Sequence, residues 1–171
     1  MKKLLVCLIG FTALSNAESY LGGNVGGLIQ NNSQTMGYFV DMNYGYQFNE
    51  NLALDFVAGV GNRQDAWGTK QDYIGAVTAK GILPVSHDFS LYGKLGIGGN
   101  YATINQITPK SDEGYNGDKF GTSLVVATGA GIEYKYDDKV TYGFGYNGYI
   151  PVAGTSFGTI HTVMFNSFYS F

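Results

Sequence analysis

The sequence predicts an all-β fold, an eight-stranded antiparallel up-and-down transmembrane β-barrel. Three observations carry this. After residue 17, nearly the whole chain alternates with period two between apolar positions and polar or glycine positions. The alternating segments run to about ten residues or more, the length a tilted strand needs to cross a bilayer. The composition has 26 Gly, 14 Tyr and 11 Phe in 171 residues, while charged residues make up 13%, about half the usual share. Glycine at this density opposes helices, because each one costs roughly 1 kcal/mol in a helix interior.

Residues 1–17, MKKLLVCLIGFTALSNA, have the form of a secretory signal peptide. Lys2 and Lys3 precede an apolar run from Leu4 to Leu14, and Ser15 and Ala17 are small residues at the −3 and −1 positions. The run is too short for a membrane-spanning helix, which needs about 20 residues. Cleavage leaves residues 18–171 as the barrel domain. It removes two lysines and the single cysteine, so 8 basic residues face 13 acidic ones. Without cysteine there is no disulfide framework and no thiolate zinc site. The acidic balance argues against a nucleic-acid partner, which would call for a basic patch.

Eight segments alternate. Residues 20–30 set Leu21, Val25 and Ile29 against Tyr20, Asn24 and glycines. Residues 35–48 set Met36, Tyr38, Val40, Met42, Tyr44 and Tyr46 against Asp41, Asn43 and Gln47. Residues 52–61 set Leu52, Leu54, Phe56 and Val60 against Asp55 and Gly59. Residues 72–83 set Tyr73, Val77, Ala79 and Leu83 against Asp72, Thr78 and Lys80. Residues 89–101 set Phe89, Leu91, Leu95, Ile97 and Tyr101 against Tyr92, Lys94 and glycines. Residues 121–136 set Leu124, Val126, Ala130, Ile132 and Tyr134 against Gly129, Gly131 and Glu133. Residues 140–149 set Val140, Tyr142, Phe144 and Tyr146 against Gly143, Gly145 and Asn147. Residues 159–171 set Val163, Phe165, Tyr169 and Phe171 against Thr162, Asn166 and Ser170.

A sandwich or a lipocalin-type barrel would turn the apolar face inward; a membrane barrel turns it to lipid and lines its interior with the polar face. The signal peptide and the tyrosines at strand ends favour the membrane barrel, whose interfaces carry aromatic girdles. Tight polar turns at residues 49–51, 84–88 and 137–139 alternate with longer connections at 63–71, 102–120 and 150–158. Short periplasmic turns and long extracellular loops follow that pattern, and the expected location is the cell outer membrane.

The inward charges Asp55, Lys80, Lys94 and Glu133 lie at similar distances from the tight turns. The spacing predicts an interior ion cluster, with Asp41 nearer mid-height. Eight strands leave room inside for little more than side chains, and buried charges must pair. A polar core is the plain reading of the cluster. A gate that opens a narrow water path is the functional one.

Two stretches carry a family resemblance. "YIGAVTAKGILPVSHDFSLYGKLGIGGNYA" resembles the fourth and fifth strands of OmpA-type and OmpX-like small outer-membrane barrels, and "GAGIEYKYDDKVTYGFGY" resembles the sixth and seventh. The resemblance implies that Asp55, Lys80 and Glu133 match an interior ion network proposed in that family to gate a small channel. It also implies a departure: Gly143 stands where the family's seventh strand can supply an inward arginine, with Lys94 as a partial substitute. No counterpart of the family's peptidoglycan-binding domain is expected in residues 18–171.

Other chemistry is thinly supported. Some small barrels modify lipid A, but His161 has no acid near it in sequence to orient it as a catalytic base. His87 belongs to a turn. Two isolated histidines do not make a metal site, and no glycine motif has nucleotide-loop spacing. No cofactor and no enzymatic activity are expected. Binding belongs to the loops, where Trp67, Lys110, Asp112 and Glu113 are the candidate contacts for a host surface, a phage or lipopolysaccharide. At the strand end, Phe165, Tyr169 and Phe171 fall on the outward face at period two, with Ser167 an imperfect position among them, while Phe168 points inward. That spacing resembles the signal read by the barrel assembly machinery. The expected function is a structural and surface-interaction protein of the outer membrane, with a narrow pore as the alternative and a lipid-A-modifying enzyme third.

Overall fold

The structure, a computed structural model, describes residues 18–30, 36–65, 68–106, 119–154 and 158–171. Eight strands, β1 (Glu18–Gln30), β2 (Met36–Asn49), β3 (Leu52–Asp65), β4 (Gly68–Pro84), β5 (Phe89–Gln106), β6 (Lys119–Lys135), β7 (Val140–Gly154) and β8 (Ile160–Ser170), follow one another around a ring. Every neighbour is antiparallel, and β1 pairs with β8 to close the barrel. Closure removes the sheet edges, which hydrocarbon could not satisfy.

The side-chain alternation sets which residues face where. Leu21, Val40, Phe56, Val77, Leu95, Ile132, Phe144 and Phe165 are exposed on the outer wall, while Asp41, Asp55, Lys80 and Glu133 are buried within it. Aromatic pairs ring the outer wall, with Phe89 against Tyr134 at 4.9 Å and Tyr142 against Phe165 at 6.0 Å near the short-turn rim, and Tyr73 against Tyr101 at 6.1 Å toward the opposite rim.

The short turns are fastened to their neighbours. The Asn51 side chain donates to the Ile82 carbonyl (3.0 Å), and the Lys135, Ser170 and Phe171 amides donate to the carbonyls of Asp88, Lys139 and Ser19. In the β6–β7 turn the Asp137 carboxylate accepts from the Lys139 and Val140 amides, both at 2.7 Å. Those hydrogen bonds, Lys139's first, hold the Asp137 carboxyl below its usual range. A depressed folded-state value means the contribution is present above the unfolded titration point and lost as pH falls through the folded one. The Lys139 and Val140 amides should therefore stay protected from hydrogen exchange at neutral pH and lose protection in acid. Protection unchanged below the ordinary carboxylate range, or retained in Asp137→Ala, would contradict this.

Two features differ from the sequence expectation. Toward the long-loop rim the strands run further than the polarity suggested. Residues 63–65 and 68–71 belong to β3 and β4, residues 102–106 to β5, and residues 150–154 to β7. Strand pairing does not require lipid contact, so the ladder continues past the apolar band into polar sequence. The interior is also not purely polar or glycine. Leu28, Phe39, Ile74, Val125, Ile160 and Met164 point inward and form a buried apolar band with Tyr149. A β-bulge at Leu124/Val125 adjusts the β6–β7 register beside this band.

Candidate functional site

The barrel interior is built in layers. Nearest the short turns, Tyr20 and Phe168 meet edge to face at 5.5 Å, backed by Ala53 and Ile82. Tyr20 fits there because Gly45 lies against its ring. A Cβ on Gly45 would come within 2.0 Å of Tyr20 Cζ, so any side chain at that position would push the tyrosine away.

Above this lies the ion layer, and it holds all four charges expected from the sequence. Lys80 Nζ is 2.6 Å from Glu133 Oε1, and Lys94 Nζ is 2.7 Å from Asp55 Oδ2. Lys80 and Lys94 are direct cross-strand partners, an arrangement that repels unless each ammonium has its own carboxylate. The Tyr20 hydroxyl donates to the other Asp55 oxygen. Lys80 Nζ also lies 5.1–5.3 Å from the rings of Phe168, Tyr92 and Tyr20, within cation–π range. Tyr92 lies under Lys94 as well, at 5.3 Å, and its hydroxyl accepts from Asn166 Nδ2 at 3.1 Å. Gly143 faces Glu133 across the β6–β7 ladder; the partner of Glu133 is Lys80, and Lys94, expected as the partial substitute for an inward arginine, pairs with Asp55 instead.

Next come Asn24, Asp41, Asn43 and Thr78, all buried. The apolar band follows, and beyond it lies a further ion pair that the sequence reading missed. Arg63 Nη2 is 3.1 Å from Asp72 Oδ2, both side chains fully buried, and Asn100 Nδ2 donates to Asp72 at 3.5 Å. The sequence pattern puts Arg63 at the start of a loop, yet it continues the inward parity of Asp55, Gly59 and Gly61. Parity carried past Gly61 would have found it.

His161 lies on the outer face, where its Nδ1 pairs with the Tyr146 hydroxyl and its ring stacks on Tyr146 at 5.8 Å. His87 is exposed in a turn, 4.0 Å from the Asp88 carboxylate. Among the described residues, no group of three or more His, Cys, Asp or Glu could hold a metal ion. Phe165, Tyr169 and Phe171 are exposed on one face, and Phe168 is buried. Trp67, Lys110, Asp112, Glu113 and the leader at residues 1–17 lie outside the described residues.

Comparison with known families decides the class. The model of the outer membrane protein β-barrel domain matches residues 4–168. The chain belongs to this family. It is an outer-membrane barrel, and the cell outer membrane is its location. A comparison with curated proteins found no match. Among solved structures, the barrel is similar to Neisserial surface protein A, with 13% identity over 92% of this chain and 98% of that one and a TM-score of 0.67. It is also similar to Ail, the attachment invasion locus protein of Yersinia pestis, with 17% identity over 91% and 97% and a TM-score of 0.58. Ail has also been solved with the heparin analogue sucrose octasulfate. The N-terminal barrel of Pseudomonas aeruginosa OprF gives 12% identity over 91% and 100% and a TM-score of 0.59. At these identities the likeness is one of fold.

Proposed function

We propose that this outer-membrane barrel has a structural and surface-interaction role, with its extracellular loops as the contact elements and its interior as a sealed support. The observation that carries this reading is the filled interior. Ion pairs and an apolar band occupy successive levels, and the cavity between them measures about 20 Å³, room for roughly one water. Trp67, Lys110, Asp112 and Glu113 are the proposed contacts, and a host surface, a phage or lipopolysaccharide the proposed partners. Ail's heparin analogue makes a sulfated glycan the first probe. Residues 102–120, however, carry Lys110 and Lys119 against Asp112, Glu113 and Asp118. A slightly acidic loop does not attract a polyanion, so weak retention on heparin at physiological salt is the expected result.

The test is adhesion by cells displaying the protein. Replacing residues 107–118 with a short Gly-Ser linker should abolish binding to host cells or phage while leaving the barrel heat-modifiable on gels. Undiminished binding after replacement of that loop and of residues 64–68 would sink the reading.

The narrow pore is the second reading. It is favoured by two carboxylates and two ammoniums in one layer, where ion pairs could exchange partners. The apolar band beyond that layer weighs against it. Phe165, Tyr169 and Phe171 are proposed as the segment engaged by the barrel assembly machinery, on the strength of their outward period-two spacing.

A further inference from the structure

Midway along the interior, one buried acid has no ion-pair partner. Among the described residues, Asp41, Asp55, Asp72 and Glu133 are buried acids, and Arg63, Lys80 and Lys94 are buried bases. Three ion pairs use Arg63 with Asp72, Lys80 with Glu133, and Lys94 with Asp55. Asp41, 2% exposed, is left over. One of its oxygens accepts from Asn24 Nδ2, while Oδ2 has no hydrogen-bond partner. Asn24 Oδ1 and Thr78 Oγ1 also lack partners. Asp41, Asn24 and Thr78 all line the same cavity of about 20 Å³. A buried carboxylate without an ion-pair partner of its own is costly, and three acceptor-bearing side chains around a water-sized space form a set of hard oxygen donors.

We propose that Asp41, Asn24 and Thr78 form a binding site for one monovalent cation of the sodium class. Charge fixes the valence. One carboxylate is unpaired, and Lys94, which lines the same cavity while bound to Asp55, opposes a second positive charge. The cation neutralises Asp41 between the ion layer and the apolar band.

The experiment follows unfolding of the refolded barrel in detergent at constant ionic strength and fixed pH, exchanging sodium chloride for choline chloride. Choline is too large for the cavity and supplies the same screening. For a site with a dissociation constant of about 10 mM, 100 mM sodium should lower the unfolding equilibrium constant about 10-fold. Asp41→Asn should abolish the sodium response. Thr78→Val keeps the carboxylate and removes one donor, so it should weaken the response several-fold and serves as the test if Asp41→Asn does not fold. A wild-type barrel indifferent to sodium, or an equal response in Asp41→Asn, would overturn the proposal. So would a stability that ignores sodium but varies when the titration is repeated at a series of pH values, the variation disappearing in Asp41→Asn, because a proton would then be what neutralises Asp41 beside Lys94, Asp55 and Tyr149.

Discussion

Replacing Lys80 by alanine lowers the unfolding free energy of the reconstituted barrel by about 3 kcal/mol. The substitution strands Glu133, a buried carboxylate whose ammonium partner lies at 2.6 Å, and breaking one side of a buried pair costs about 3–5 kcal/mol. The lower end applies because Lys80 also faces Lys94 directly across the β4–β5 ladder, and its removal relieves that repulsion. The double variant Lys80→Met/Glu133→Leu should recover most of the loss, since replacing both members of a buried pair with apolar residues is often neutral. Urea titrations of the single and double variants in lipid vesicles check both statements. An unchanged midpoint for Lys80→Ala would mean that Glu133 has another source of compensation.

Phe171→Ala should act on assembly rather than on the folded barrel. The Phe171 ring is 72% exposed and meets Tyr169 edge to face at 5.4 Å. Its amide bond to the Ser19 carbonyl is backbone and survives the substitution. Loss of one exposed aromatic contact is worth about 1 kcal/mol, too little to unfold a barrel. Surface levels in cells should nevertheless fall about tenfold, while in-vitro refolding yield and unfolding midpoint stay close to wild type. Parallel quantification of surface-exposed protein and of refolded barrel tests this. Equal surface levels would remove the assembly role, and equal losses in cells and in vitro would make Phe171 a stability residue.

Which parts of this molecule were legible in sequence follows from what alternation encodes. Period two fixes parity, and parity brought Asp55, Lys80, Lys94 and Glu133 into one layer across four strands. Parity continued too far to be noticed at Arg63, because the surrounding Asn62, Gln64 and Asp65 resemble a loop in composition. The apolar band was obscured for the opposite reason. Leu28, Ile74, Val125 and Met164 sit beside outward apolar residues, and where both faces are greasy the alternation carries no sign. Only the closed ring distinguishes a side chain filling the barrel from one facing lipid. The pairing within the ion layer was beyond the sequence as well. Like charges at Lys80 and Lys94 are tolerable because each finds a carboxylate on another strand, a choice made by side-chain geometry.

Planar-bilayer recording of the refolded barrel tests the sealed interior most directly. Silence is the predicted result across voltage, salt concentration and pH, in wild type and in Lys80→Ala alike, because the proposed sealed interior rests on the apolar band independently of the ion layer. Reproducible single-channel steps in the wild type, altered by substitutions at Lys80 or Glu133, would contradict it and would make the ion layer a gate.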